Sequence, residues 1–470
     1  MAQGVEFGQR TDSFLSWFKS LEGASFSDAI QIVDLRSKNA GRGIVATRDI
    51  PADTTLFEIP RKAIINVQTS ELPSKLPAVF DPESEAMDVD GDVSPQLDSW
   101  SSLILIMIYE FLRGQESQWK PYFDVLPEEF NTPMFWSDSD LDALQASATR
   151  GKIGKSEAEE MFRSQLLPVI RSNQGVFMSS ENHTDEELIG LAHRMGSTIM
   201  AYAFDLENDE DREEEEEDGW VEDRDGKSLM GMVPMADILN ADAEFNATCQ
   251  AHINHGEESL TATSLRPIKA GEEILNYYGP HPNSELLRRY GYVTERHGRY
   301  DVVEIPWGVV EEALAAQLSV PADVISACKE KLDEEELEDV FVLERDTGEP
   351  NSDGTFAGPA ELKEMPGDLQ EQVKAFLKGI KKLKPDLIPD KRKRDEILSD
   401  VMLNSLQLLE SRYPTSYIED RILLKRTDLS DRIRMAVEVR LGEKQLIQEA
   451  KALFQSSSNE NAGKRVKTST

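Results

Sequence analysis

The order in which the chain changes character constrains its fold most. From Gly41 to Asn66 ("GRGIVATRDIPADTTLFEIPRKAIIN") short β-prone runs, IVAT, TTLFEI and AIINV, are separated by turn residues. Met134 to Met200 reads mainly as helices, and "SDSDLDALQAS" offers Asp138 or Ser139 as an N-cap. Strands return from Cys249 to Leu265. There Cys249, Ala251 and Ile253 alternate with polar residues, a Gly-containing turn follows, and Leu260 and Ala262 resume the alternation, as in a hairpin. From about Tyr300 helices dominate. Leu398, Met402, Leu406 and Leu409 recur at helical spacing, and Ile433, Val437 and Leu441 do so behind a Ser430 cap. The outline is that of an α+β chain: β-rich, helical, β-rich, then helical.

With 470 residues, two or three domains are expected. The formal charge of −37 argues against general binding to a phosphate backbone, so no direct nucleic-acid partner is expected. It suits basic partners such as ribosomal proteins or histone tails. Asp81–Gln96, Glu207–Gly226 and the tail Ser456–Thr470 read as unfolded, the first two from their acidity. The tail's basic cluster and "KRKRD" at Lys391–Asp395 resemble short nuclear import signals, so a nuclear location is expected, with cytoplasm as a second site. Clusters of this kind also arise by chance. Cys249 and Cys328 are the only cysteines, which speaks against a disulfide framework and for a reducing compartment. The N-terminus lacks a basic-then-apolar signal peptide, and the apolar run Leu103–Leu112 is too short to span a bilayer and reads as a core helix.

Several chemistries are disfavoured. "GRG" at Gly41–Gly43 lets a ligand approach the backbone, yet strand and turn follow it where a dinucleotide fingerprint needs a third glycine and a helix. "CQAHINH" spaces Cys249, His252 and His255 as a zinc site could, but His252 and His255 would face opposite sides of a strand, and no second cluster completes a set. No metal is expected. No G-x-S-x-G elbow occurs, and neither cysteine has catalytic surroundings. What remains is an ordered set: GxG, then "VPMADILN", then "EEILNYYG", then "NSELLRRYGYV". Asp237 and Asn240 interrupt an apolar stretch, and a buried amide there must find partners.

This set resembles the SET-domain protein-lysine methyltransferases, most closely the subgroup of Rubisco and ribosomal-protein methyltransferases. The C-terminal stretch "RYPTSYIEDRILLKRTDLSDRIRMAVEVRLGEKQLI" separates this subgroup from other SET enzymes. The resemblance implies an α+β architecture, a β-rich SET fold split by a helical insert and followed by an all-helical substrate-binding domain. Its parts would be residues 1–66 and 229–299 for the SET core, 67–228 for the insert with acidic loops at 81–96 and 207–226, 300–455 for the C-terminal domain and 456–470 for a tail.

The resemblance also implies an enzyme that uses S-adenosyl-L-methionine. Gly41, Arg42, Gly43, Asn240, Ala241, Tyr278 and Tyr290 would hold the cofactor, Tyr278 would be catalytic, and Asp237 and Tyr290 would line the lysine channel. Ala241 stands where the family usually has histidine, so only backbone contacts carry over there. The helix around Arg194–Phe204 would supply further contacts, although its end reads "AYAF" where the subgroup often has arginine. The expected substrate is a lysine of a large-subunit ribosomal protein. The alternatives are a histone or transcription factor, or a non-catalytic SET-like module whose acidic loops bind basic proteins.

Overall fold

The computed structural model describes residues 2–38, 40–80, 97–206, 229–242, 251–329, 337–348, 351 and 356–467. The acidic stretches Asp81–Gln96 and Glu207–Gly226, and Cys249, lie outside the described residues or almost wholly so. The chain forms two compact units. One takes Met1–Phe130 and Gly154–Gly279, the other Asn131–Ile153, Pro280–Asn351 and Phe356–Thr470. The second unit therefore begins at Pro280, earlier than residue 300, and recruits 131–153 from within the expected insert.

In the first unit, β1 (Ser25–Phe26), β4 (Thr55–Pro60), β9 (Ser259–Ser264) and β8 (Ala251–His255) form an antiparallel sheet in the order β1-β4-β9-β8. The expected hairpin is β8–β9, with Ala251, Ile253, Leu260 and Ala262 buried on one face. β2 (Ile30–Asp34) pairs with β3 (Arg42–Ala46), the strand that begins inside GRG. The other edge of β3 is taken by the segment before the Tyr-Tyr-Gly motif: Ile274 N donates to Ile44 O at 2.8 Å and Ala46 N to Glu272 O at 2.9 Å. β5 (Ala203–Asp205) pairs antiparallel with β6 (Met230–Met232), while β7 (Ala241–Asp242) and β10 (Asn276–Tyr277) run parallel, with Asn276 opposite Ala241. These ladders bring three of the four sequence-distant motifs, GRG, VPMADILN and EEILNYYG, side by side.

AIINV does not form a strand. Arg61–Ala63 is a 3-10 turn, and Asn66 Oδ1 accepts from the N–H of Gln68 and Thr69, which turns the chain. Ile65 keeps only a bridge to Met232. The apolar run is the centre of a helix over Ser99–Arg113, capped by Asp98 and buried from Ser101 to Glu110. Glu110 is tolerated there because the hydroxyls of Ser70 (3.2 Å) and Ser117 (2.7 Å) both donate to it. No described helix is long and apolar enough to cross a membrane. The Asp138–Asp142 helix is capped by Ser137, one residue before the expected pair, because Asp140 can return a hydrogen bond to the Ser137 N–H.

The second unit is chiefly helical, with one addition to the all-helical expectation. β11 (Val303–Pro306) and β12 (Val340–Leu343) form an antiparallel pair, since Val303 and Ile305 alternate inward opposite Leu343 and Phe341. The last helix runs from Asp431 to Lys467, through the stretch that reads as a tail, and Ser430 Oγ accepts from Ile433 N at 3.4 Å at its start. Its inner face carries charges as well as apolar residues. Asp420, Arg440 and Lys444 are all buried, with Arg440 Nη2 2.6 Å and Lys444 Nζ 2.5 Å from the two Asp420 oxygens.

Beside them Glu443 accepts from Ser147 Oγ at 2.6 Å and Tyr413 Oη at 2.8 Å. Burial outweighs these bonds and pushes the Glu443 carboxyl up from 4.5 to about 7. The folded state therefore holds this proton more tightly than the unfolded chain. The stability it contributes is full below about pH 4.5 and is lost as pH rises through about 7, an effect on the order of 3 kcal/mol. Glu443→Gln is expected to flatten this fall in denaturant titrations run between pH 5 and 8. An unchanged slope would show that the group titrates normally.

Candidate active site

The site in the first unit grows from the β3, β7 and β10 ladders. Asn240 Nδ2 donates to Arg42 O at 3.1 Å and to Glu273 Oε1 at 2.7 Å, and Asn276 N donates to Asn240 O at 2.7 Å. This answers why an amide interrupts the apolar run: it ties GRG to the segment beside it. Gly41 has φ of 62°, and an added Cβ would meet nothing within 4 Å. Gly43 differs. A Cβ there would collide with Leu35 Cδ1 and lie 2.9 Å from Glu273 Oε1 and 3.0 Å from Asn240 Nδ2. Its missing side chain makes room for the protein's own Asn240–Glu273 pair, whereas the sequence suggests room for a ligand.

β10 ends at Tyr277, and Tyr278 follows with its hydroxyl donating to Leu239 O at 2.8 Å. Gly279 then turns the chain with φ of 105°, a conformation that favours glycine. The opening of "MADILN" is strained: Met235 has φ of 83°, immediately before the 3-10 turn Ala236–Ile238. That turn presents Asp237, whose Oδ2 accepts from Tyr122 Oη at 2.6 Å while its buried Oδ1 has no hydrogen-bond partner among the described residues. Burial pushes the Asp237 carboxyl up to about 7, against the pull of the Tyr122 hydrogen bond and the Arg42 charge.

A cavity of about 590 Å³ opens here, lined by Gly41, Arg42, Tyr202, Asp237 and Asn240 and, from the first helix (Ala2–Ser20), by Phe7. Arg42 is a strut between this helix and the rest of the site. Its Nε donates to Thr11 Oγ1 and its Nη1 to Val125 O, both at 2.9 Å, and its guanidinium lies 3.9 Å from the centre of the Phe7 ring. Burial, with Arg10 and Arg36 nearby, lowers its pKa to about 10.

The structure thus brings Gly41, Arg42, Gly43, Asp237, Asn240, Ala241 and Tyr278 together in one unit. Tyr290 belongs to the other, at the end of the Asn283–Tyr290 helix that Gly291 terminates at φ of 76°. Its ring lies 6.1 Å from that of Tyr292, and burial raises its phenol pKa. His252 and His255 sit on β8, and no cluster of three His, Cys, Asp or Glu that could hold a metal occurs among the described residues. Sequence reading passed over Phe7, Tyr122 and Glu273. Glu273 sits inside a motif already quoted, but Phe7 and Tyr122 carry no local signal.

The family model of the SET domain matches residues 41–279, just over half of the chain. The chain belongs to the SET-domain family of protein-lysine methyltransferases, whose cofactor is S-adenosyl-L-methionine. A second model, Rubisco LSMT substrate-binding, matches residues 293–447. Ribosomal lysine N-methyltransferase 4 of Saccharomyces cerevisiae is 36% identical over 329 residues, 69% of this chain and 63% of that protein. N-lysine methyltransferase SETD6 of Homo sapiens is 26% identical over 435 residues, 87% of this chain and 83% of that one. The fold is that of the solved SET domain of LSMT bound to lysine and AdoHcy, with a TM-score of 0.62 at 20% identity, covering 96% of this chain and 92% of that one.

The residues present fit the cofactor of this SET family. The cavity has the size of a small-molecule site, Gly41 leaves its backbone approachable, and the orphaned Asp237 Oδ1 suits a cationic ligand group. Asn240→Ala would strip Arg42 O and Glu273 Oε1 of a shared donor. It is expected to weaken cofactor binding about tenfold in isothermal titration; wild-type affinity would show that the amide only supports the fold.

Proposed function

We propose that this SET protein methylates a lysine of a basic large-subunit ribosomal protein, with S-adenosyl-L-methionine as methyl donor. The observation that carries the substrate is the 36% identity to the yeast ribosomal lysine N-methyltransferase. The charge of −37 supports it, since an acidic surface steers a basic partner. A second reading is a non-ribosomal substrate such as a histone or transcription factor. The SETD6 alignments favour it, because they span 87% and 94% of this chain.

When bound, the cofactor supplies an electrophilic methyl group on a positively charged sulfur. In this proposal Gly41, Arg42 and Asn240, which line the cavity, hold the cofactor, and Gly43 and Ala241 contribute through their backbone alone. Asp237 borders the lysine in this reading, and Tyr290 is carried over to the same role from the family resemblance alone. Tyr278 is the catalytic residue: its hydroxyl, held against the Leu239 carbonyl, fixes the position from which the amine attacks. The lysine must be neutral to attack, and an aromatic, water-poor channel lowers its pKa. A carboxyl at Asp237 pushed up to about 7 changes the charge beside the site as pH passes through that value.

Incubating the protein with labelled cofactor and extract from cells that lack it is expected to label a large-subunit ribosomal protein, identified by mass spectrometry. Label on a histone or transcription factor would overturn the substrate, and no methylated lysine would overturn the activity. We also propose a nuclear location, with cytoplasm as a second site, from the basic tail cluster Lys464–Lys467. A fluorescent fusion whose distribution is unchanged by deleting that cluster would remove this support.

A further inference from the structure

The chain is strongly acidic, yet its cations are not evenly spread. Residues 378–394 hold eight Lys or Arg and two Asp. They form the tip of a helical hairpin in the second unit. The Gly367–Leu383 helix ends in Lys381 and Lys382, a short 3-10 turn covers Pro385–Leu387, and the Lys391–Ser411 helix begins with "KRKR".

The tip is a defined surface. Ile388 is fully buried and pins the connection, and Lys381 Nζ donates to Pro389 O at 3.3 Å across it. Lys378 and Lys382 are one helical turn apart and share a face. Lys378, Lys382, Lys384, Lys391 and Arg392 are all exposed, and none of them has an ion pair among the described residues. Folding does not call for these cations. The first turn of the second helix has no acidic residue, so its lysines and arginines oppose the helix dipole and repel one another.

We propose that this hairpin tip docks the phosphate backbone of a structured RNA. Clustered, unpaired cations, with Leu383 the one large apolar side chain exposed among them, match a polyanion, whose condensed counterions are released on binding. No aromatic residue lies between 378 and 394, so the surface has no ring on which to stack an unpaired base and is suited to backbone and shape. The local charge overrides the argument from net charge, because screening confines each side chain's field to within about 10 Å. A linear transport signal fits less well. The Asp390 side chain accepts from Lys393 N at 2.8 Å, which locks "KRKR" into a capped helical turn, where a linear signal would have to be free to extend. The choice of RNA over other polyanions rests on the ribosomal reading above: a basic ribosomal substrate comes with its RNA.

The test uses the full-length protein, a fluorescein-labelled RNA hairpin and anisotropy across a salt series. The K378E/K382E/K384E/R392E variant is expected to bind at least tenfold more weakly, with a slope of log K against log salt shallower by roughly 3. A glutamine version of the same variant guards against misfolding and is expected to move in the same direction. Cofactor affinity, which rests on residues of the first unit, is expected to be unchanged in both. Equal RNA binding by wild type and variants would overturn the proposal. So would equally tight binding of polyglutamate, which would mark an acidic-protein surface. Loss of nuclear import receptor capture with RNA binding intact would overturn it in favour of a transport signal. Failure to methylate any ribosomal protein, with the RNA result as expected, would remove the ribosomal substrate and leave the surface standing.

Discussion

Tyr278→Phe is expected to lower the rate of methyl transfer by roughly 10²–10⁴-fold while cofactor affinity changes little. The substitution removes one oxygen. That oxygen donates to Leu239 O at 2.8 Å, in the residue directly before Asn240, so it sits at the joint between the Asn240 segment and β10. The backbone ladder Asn276–Ala241 and the Asn240 bonds to Arg42 and Glu273 do not involve the phenol, so the cofactor side of the site keeps its shape. Tyr277 precedes it within β10, with its backbone held in the parallel ladder, and Tyr277→Phe serves as the control. Single-turnover kinetics with saturating cofactor separate the step from binding. Near-normal turnover in Tyr278→Phe, with loss in Tyr277→Phe, would transfer the role to the neighbouring ring.

Asp420→Ala is expected to destabilise the protein by about 3–5 kcal/mol, because it leaves two buried cations without their carboxylate. Asp420 is fully buried, receives Arg440 through Nε at 3.0 Å and Nη2 at 2.6 Å, and also meets Lys444 Nζ and Thr415 Oγ1. Lys444 keeps Thr415 O at 2.7 Å and Arg440 keeps Ala143 O, but neutral carbonyls do not offset the charge. The loss should appear as a lower denaturant midpoint followed by the fluorescence of the second unit. Replacing all three residues with apolar ones of similar volume is expected to recover much of it, because no charge is then stranded. A loss below about 1 kcal/mol in Asp420→Ala would mean that water reaches these groups, as at a surface pair.

Both residues were visible in the sequence, though not equally. Tyr278 was singled out through the family resemblance, and the structure adds that it follows the end of β10 and that Gly279 turns the chain after it. Asp420, Arg440 and Lys444 stand in the stretch that marks the subgroup, yet their spacing reads as an ordinary solvated helix face. Nothing local says that charges 20 and 24 residues apart meet in a dry interior. The N-cap at Ser137 and the β11–β12 pair show the lesser errors of periodicity, which locates elements better than their ends or the short strands between helices.

By itself the sequence determined the order of β-rich and helical segments, the hairpin of β8 and β9, and the motifs from which the SET family is read. Those depend on spacing along the chain, which periodicity and turn chemistry record directly. Only the tertiary structure decided that Gly43 makes room for Asn240 and Glu273, that Arg42 is a strut to the first helix, and that Tyr122 holds Asp237. Each of those contacts joins residues far apart in the chain. Their energy comes from burial and from satisfying polar groups removed from water, and burial is a property of the assembled fold.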